Sequence, residues 1–415
     1  MRALRVQAVW ACLLALCLTV STAAAAQTSK PKVRAITGFV RLDRAQYEQQ
    51  IAAALTVLHK AQSEFEAAGY QIESVRITTQ PLAELLTGLS DQDAMTYLKA
   101  LDDLSARQKF ALNIGPAMMR DSDDPRTIRL LAQALSTLSR INASSIIAGD
   151  DGIHWKAIRE TAALVRYVSE HSPHSQGNFN FAATAMLAPY APFYPGSYHT
   201  GAGKQFSIGF EGANVVKEVF AQTHGNMAAA TEAMTRELTR HSQVADGIGK
   251  RVESATGWKY MGVDPTPAPL ADVSIGAAIE AYTGAKFGSS GTLTAALIIT
   301  TAVKAVSAKQ IGYSGLMIPV MEDKLLAQRW SEGTYDIDSL LAYSAVCGTG
   351  LDTIPLPGDV TEEQIQKILG DVASLAWKWH KPLSARLLPV QGKKNGDQTA
   401  FDDSYLFNTT IRPLP

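Results

Sequence analysis

The stretch Val33–Val40, with the sequence VRAITGFV, is rich in β-branched residues, and Ala45–Ala68 follows it with apolar residues three and four positions apart. The first pattern predicts a strand and the second an amphipathic helix. Gly69 stands where that helix should end, and Ile72–Thr78 predicts another strand. Repeated strand–helix units are typical of a mostly parallel sheet or barrel with helices outside.

The same alternation continues to the end of the chain. Further strands are predicted at Phe110–Ile114, Ser144–Ile147, Phe179–Leu187, Phe206–Phe210, Gly315–Val320 and Ala385–Val390. Further helices are predicted at Pro125–Ser139, Trp155–Ser169, Met227–Ala245, Thr292–Ala308, Ser339–Ala345 and Thr361–Trp379. No linker rich in Pro, Gly or Ser divides residues 27–415, which favours a single α/β domain. An open doubly wound sheet is the alternative to a barrel.

The first residues have the layout of a secretory signal peptide. Arg2 and Arg5 precede the apolar run Val9–Val20, and Ala24–Ala26 offers small residues for cleavage. The run is shorter than the roughly 20 apolar residues that a membrane-spanning helix needs. The pattern predicts a signal peptide over residues 1–26, a periplasmic or secreted protein, and no integral membrane segment after cleavage.

Composition narrows the range of partners. Lys and Arg total 38 against 39 Asp and Glu, so no strong positive field points to nucleic acid. Cleavage would remove Cys12 and Cys17 and leave Cys347 as the single thiol. Such a residue is a buried, inert side chain, a nucleophile, or a site that links the chain to a partner. A small-molecule ligand is the expected partner, and the oligomeric state is left open.

Four acidic residues lie in Gly- and Pro-rich stretches beside predicted strands. Ligands of α/β folds bind at loops next to strand ends, so these acids are candidates for general acid/base catalysis or for binding a divalent cation. They are Glu211, Asp264, Glu322 and Asp352. Asp323 and Asp359 precede predicted helices, where capping is the favoured role.

Basic and amide side chains could complete a site. Arg41 and Arg386 lie beside strands, where each needs either an internal carboxylate or an anionic substrate as a partner. Asn178 and Asn180 alternate with phenylalanines, which predicts that both amides face one side of a strand.

Several blocks of this sequence resemble the domain-of-unknown-function 711 family, which is related to uncharacterised protein family 0210. The blocks span nearly the whole chain in the family's order: Gly177–Ala182, Ile208–Ala213, Gly262–Pro269, Phe287–Thr292, Pro319–Asp323, Cys347–Asp352 and Gly392–Asp397. The resemblance implies a pyruvate formate-lyase-like barrel of about ten strands with surrounding helices. The family's reaction is uncharacterised.

The same resemblance raises the question of radical chemistry. Gly392 and Gly396 lie outside the Arg-Val-x-Gly-aromatic motif that carries the radical in glycyl radical enzymes. Cys347 is a candidate for comparison with the thiyl-forming cysteine of those enzymes. An exported chain could not depend on a cytoplasmic activase, so radical chemistry is not expected.

Two functions follow from these observations. The first is an exported, non-radical enzyme that acts on a small anionic metabolite in the barrel mouth, using the acids and the arginines named above. The alternative is a periplasmic small-molecule binding protein without catalysis. No cofactor is identified beyond a possible divalent cation.

Overall fold

The predicted mixed α/β fold is confirmed, with ten strands in one sheet and helices around it. The computed structural model describes residues 28–223, 225–346 and 349–414. The strands are β1 (Lys32–Phe39), β2 (Val75–Thr78), β3 (Ala111–Pro116), β4 (Ile141–Gly149), β5 (Gly152–Ile153), β6 (Phe181–Ala185), β7 (Gln205–Glu211), β8 (Lys259–Asp264), β9 (Gly350–Pro357) and β10 (Leu383–Val390).

The sheet consists of blocks of parallel strands that are joined by two antiparallel strand pairs. The strand order is β8-β7-β1-β2-β3-β4-β6-β10-β9, and β5 pairs with β4. Strands β1, β2, β3, β4 and β6 run parallel to one another. Strand β7 is antiparallel to β1, and β10 is antiparallel to β6. Gln310 and Pro319 form isolated bridges to the edge strands β8 and β9, so the segment between them lies beside both edges.

The helices follow the strands as the sequence pattern indicates. They are α1 (Tyr47–Ala67), α2 (Leu82–Leu85), α3 (Asp91–Gln108), α4 (Arg126–Thr137), α5 (Trp155–His171), α6 (Ala213–Thr223), α7 (Met227–Thr256), α8 (Ile275–Thr283), α9 (Thr292–Lys304), α10 (Lys324–Glu332), α11 (Ile337–Val346) and α12 (Glu362–Trp379). The apolar stripe of α1 is buried, including Ile51, Leu55 and Leu58. Thr361 and Gln364 form a capping box that begins α12.

Several segments differ from the sequence prediction. Gly315–Val320 forms no strand and contributes only the bridge at Pro319, a residue that has no N–H for a strand ladder. Residues 173–180 form a 3₁₀ helix, so the strand predicted from Phe179 begins at Phe181. Asp352, which was expected in a Gly- and Pro-rich stretch beside a strand, instead lies within β9 itself.

One face of the sheet carries polar side chains and is covered by the loop of residues 186–204. The Thr37 hydroxyl on β1 donates to the Pro192 carbonyl at 2.8 Å. The Asn113 amide on β3 donates to the Pro195 carbonyl, also at 2.8 Å. The side chains of alternate strand residues are therefore used to hold a loop, and space remains beside that loop for a cavity.

Candidate functional site

A cavity of about 410 Å³ opens at the amino-terminal ends of β1, β2, β3 and β4, beside the loop of residues 186–204. Its wall contains oppositely charged side chains that strand alternation directs to the same face of the sheet. We call the following residues the charged cluster: Lys32, Arg34, Glu73, Glu211, Glu322, Asp352 and Arg386. All of them except Lys32 and Glu211 line the cavity.

Arg386 forms one end of the charged cluster. Its Nε donates to Oδ1 of Asp352 at 2.5 Å, and its Nη2 donates to Glu322. The guanidinium also lies over the ring of Phe179, 5.2 Å from its centroid. Burial alone would lower the pKa of Arg386, but Asp352 and Glu322 outweigh burial and raise it. Arg386 is therefore a permanently charged bridge between two buried carboxylates.

Arg34 forms the centre of the charged cluster. Its guanidinium lies 3.1 Å from Glu211, 3.3 Å from Glu322 and 3.4 Å from Glu73. Burial opposes the charge of Arg34, but the three acids around it still raise its pKa. Because Glu322 touches both Arg34 and Arg386, the ion pairs form one continuous network rather than separate bridges.

Glu211 is the acid of the charged cluster whose surroundings oppose its negative charge. It is the last residue of β7 and only 2 % exposed. Burial, and then contact with the Glu73 carboxyl, raise the pKa of Glu211 to about 8, while Arg34 and Lys32 oppose that change. Glu211 therefore retains its proton at neutral pH, mainly because burial disfavours the charged carboxylate and also because a second negative charge would lie beside Glu73.

Two cavity-lining arginines, Arg76 and the exposed Arg140, form no ion pair with an acid among the described residues, and Arg76 is the more buried of the two. Its Nε donates to the Ser74 hydroxyl at 2.8 Å, and its guanidinium lies 5.0 Å from the centroid of the Tyr194 ring. Burial, and then the nearby charge of Arg34, lower the pKa of Arg76 to about 10. It is thus a cation at neutral pH, with guanidinium N–H groups left for a ligand.

The structure brings four of the predicted residues together. Glu211, Glu322, Asp352 and Arg386 all belong to the charged cluster. Sequence reasoning missed Arg34, Glu73, Arg76 and Tyr194. The signal for the two arginines was a charged residue inside each of two otherwise apolar strands, at VRAI and VRIT.

Asp264 lies apart from this cluster. It is the last residue of β8, and its carboxylate accepts hydrogen bonds from the backbone N–H groups of Thr266, Tyr313 and Ser314 and from the Thr266 hydroxyl. Burial raises the pKa of Asp264, and these hydrogen bonds oppose that change. The carboxylate joins the loop after β8 to the loop after residue 310.

The predicted residues Arg41, Asn178 and Asn180 also lie outside the charged cluster. Arg41 forms an exposed ion pair with Glu84 at 2.6 Å. Asn178 is fully buried and donates to the Val165 carbonyl in α5, whereas Asn180 lines the cavity. The two amides therefore do not share a face, because residues 173–180 form a 3₁₀ helix instead of a strand.

Cys347 lies outside the described residues, as do residues 1–26, which the sequence predicts as a signal peptide. Among the described residues, no three His, Cys, Asp or Glu side chains are grouped to hold a metal ion. The cavity carboxylates instead face arginines. In the same part of the chain, no helix is long and apolar enough to cross a membrane.

The sequence of residues 25–403 matches the family model described as "Uncharacterised ACR (DUF711)". The chain belongs to this family. The resemblance noted from the sequence blocks is therefore confirmed.

Three relatives illustrate the breadth of the family. A "UPF0210 protein" of Pyrobaculum arsenaticum is 33% identical over 348 residues, which are 79% of this chain and 76% of the relative. One of Acetivibrio thermocellus is 29% identical, with 80% and 77% covered. One of Listeria monocytogenes serotype 4b is 28% identical, with 82% and 78% covered. Their names state no activity.

Among solved structures, the anaerobic ribonucleotide reductase from Thermotoga maritima in complex with dATP and CTP is similar to this chain at 6% identity. The match covers 85% of this chain and 75% of the reductase, with a TM-score of 0.35.

The relatives overturn the predicted location. They come from archaea and Gram-positive bacteria, and none of their names indicates export. The prediction of a periplasmic or secreted protein is therefore wrong. The exported metabolite enzyme and the periplasmic binding protein, both of which depended on that location, are wrong with it.

Proposed function

We propose that this protein binds a small molecule in the cavity, with a carboxylate or phosphate group of that molecule held by Arg76. The observation that carries the proposal is a cavity-lining arginine with no carboxylate partner among the described residues. Binding of this kind requires neither export nor a chemical reaction.

The surroundings of Arg76 support an anionic ligand group. The other buried cations of the cavity already face carboxylates, as Arg34 and Arg386 show. A guanidinium with free N–H groups binds a carboxylate or phosphate with two parallel hydrogen bonds. Tyr194 lies against the guanidinium and limits its movement, so little side-chain freedom is lost on binding.

The rest of the cavity wall suits a partly apolar ligand. Phe179, Phe193 and Met317 line it together with the ring of Tyr194. The Asn180 side chain also lines the cavity. Small-molecule sites combine an apolar wall with a few polar groups that fix the orientation of the ligand.

The test is equilibrium dialysis of the full-length protein with radiolabelled propionate and, separately, inorganic phosphate. Arg76→Gln should weaken binding of the preferred anion about tenfold or more, the size expected for a lost charge-assisted hydrogen bond. Arg76→Lys keeps the positive charge but loses the forked guanidinium geometry. Its affinity for the anion should lie between that of the unchanged protein and that of Arg76→Gln.

The matched control is Arg120→Gln. Arg120 is an exposed arginine that pairs only loosely with Asp123, at 3.6 Å. This variant should bind both probes as the unchanged protein does. The proposal fails if neither probe binds, or if Arg76→Gln binds as tightly as Arg120→Gln.

A further inference from the structure

We infer that the ligand carries two separate anionic groups, as a dicarboxylate does, and that Arg140 at the rim of the cavity binds the second group while Arg76 binds the first. The inference rests on the proposed function and names the class of ligand that the same cavity takes.

Arg76 and Arg140 lie at matching positions of two strands. Arg76 on β2 is in register with Ala111 on β3. Arg140 immediately precedes Ile141 of β4, which is in register with Leu112, so Arg140 lies at the level of Ala111. Neighbouring strands are about 4.8 Å apart, which puts the Cα atoms of the two arginines roughly 10 Å from each other. Aligned residues of parallel strands project to the same face, and both arginines line the cavity.

The side chain between the two arginines is short. Ala111 also lines the cavity, and its methyl group leaves the space between the arginines open. Ser139 and Asn142 line the same part of the wall. A ligand chain of a few carbon atoms that lies across Ala111 would therefore carry one anionic group toward each guanidinium.

The backbone of Arg140 is held in place although its side chain is exposed. Its N–H donates to Oδ1 of Asp102 at 2.7 Å, and its carbonyl accepts from the Asn142 side-chain amide at 3.3 Å. Its guanidinium, like that of Arg76, forms no ion pair with an acid among the described residues. The strands thus fix the positions of two arginines and leave both guanidinium groups available to a ligand.

The other arginines of the cavity wall are already paired. Arg34 and Arg386 each contact at least two acids of the charged cluster. A ligand anion at either of them would displace an internal carboxylate and leave that buried charge without its partner, which is costly. Arg76 and Arg140 can receive two ligand charges without breaking an internal ion pair.

One acid shares the rim of the cavity with Arg140. The carboxylate of Asp403 lines the cavity and accepts from the Tyr405 N–H at 2.8 Å. Its negative charge opposes an anion at the rim, and water weakens any contact with the exposed Arg140. We therefore expect Arg140 to improve binding by about fivefold, the range of an exposed ion pair, which is less than the contribution of the more buried Arg76.

The test compares glutarate with its monomethyl ester, which has the same carbon chain but one negative charge fewer. Binding of each radiolabelled compound to the full-length protein is measured by equilibrium dialysis at pH 7.5, where both carboxyl groups of glutarate are ionised. Glutarate should bind roughly fivefold more tightly than the ester, because only glutarate can form an ion pair with both arginines.

Three variants assign the preference to Arg140. Arg140→Gln should weaken glutarate binding roughly fivefold, to about the affinity of the ester, and should weaken ester binding by less than about twofold. Arg76→Gln should weaken both compounds about tenfold or more, since each places a carboxylate there. Arg129→Gln is the matched control, because Arg129 on α4 is also exposed, forms no ion pair among the described residues and lies outside this cavity. It should keep the preference for glutarate.

The outcomes separate the inference from the proposed function. Ester binding as tight as glutarate binding, or a preference for glutarate that survives Arg140→Gln, overturns the inference, while weaker ester binding by Arg76→Gln would still support the proposed function. Absence of binding by both compounds overturns the proposed function and the inference together.

Discussion

The Nε atom of Arg386 on β10 donates to Oδ1 of Asp352 on the neighbouring strand β9, 2.5 Å away. The same guanidinium binds Glu322, which lies on the connection that precedes α10. A single buried cation therefore links two strands and a loop. The charged cluster therefore holds parts of the fold together as well as contributing to the cavity wall.

Arg386→Met should destabilise the fold strongly. Removing the cation leaves Asp352 and Glu322 buried without their shared partner, which costs about 3–5 kcal/mol of unfolding free energy. Urea denaturation followed by tryptophan fluorescence measures the change. Arg41→Met breaks an exposed ion pair and should cost about 1 kcal/mol or less, so equal losses in the two variants would contradict this role for Arg386.

The free energy of unfolding should fall as pH rises, because the folded protein loses the proton on Glu211. Its pKa is raised to about 8 in the folded protein from about 4.3 in an unfolded chain. Between these values the folded state binds the extra proton, so unfolding free energy is lost as pH rises from about 5 to about 8, by a few kcal/mol. Denaturation at several pH values should show a flatter profile for Glu211→Gln than for Glu48→Gln, at an exposed acid that pairs with Arg107 at 3.6 Å.

Asp264→Asn should destabilise the fold without touching the cavity wall. The carboxylate accepts from three backbone N–H groups and one hydroxyl, and an amide nitrogen in place of one oxygen would face donors. The expected loss is about 2–4 kcal/mol of unfolding free energy. Asp272→Asn, at an exposed acid 3.5 Å from Lys324, is the control and should be nearly neutral; a neutral Asp264→Asn would refute the role.

Asp323 should stabilise the starts of two helices. It caps α10 by accepting from the N–H groups of Leu325 and Leu326, and it accepts from Ser274 and Ile275 at the start of α8. Asp323→Ala should therefore lower the free energy of unfolding by about 2–4 kcal/mol, more than the loss of a single helix cap would. Thermal denaturation compares it with Asp359→Ala, an exposed acid expected to change stability by about 0.5 kcal/mol or less.

Parts of the site could be predicted because local sequence carried the signal. Glu211, Glu322, Asp352 and Arg386 were recognised as charged residues beside apolar runs, and all four belong to the charged cluster. Asp264 carried the same signal, yet its acceptor oxygens are occupied by backbone donors. The sequence of one segment does not indicate which distant N–H groups will face a carboxylate.

The sequence by itself determined the mixed α/β class, most helices and strands, and membership of the family, because periodicity and ordered sequence blocks are local properties of the chain. Tertiary structure alone decided which charges meet. Glu322 and Arg386 are 64 residues apart, and Arg34 and Glu322 are 288 apart. Strand order and a loop laid across the sheet bring them together, and the same arrangement leaves Arg76 without an acid at ion-pair distance among the described residues.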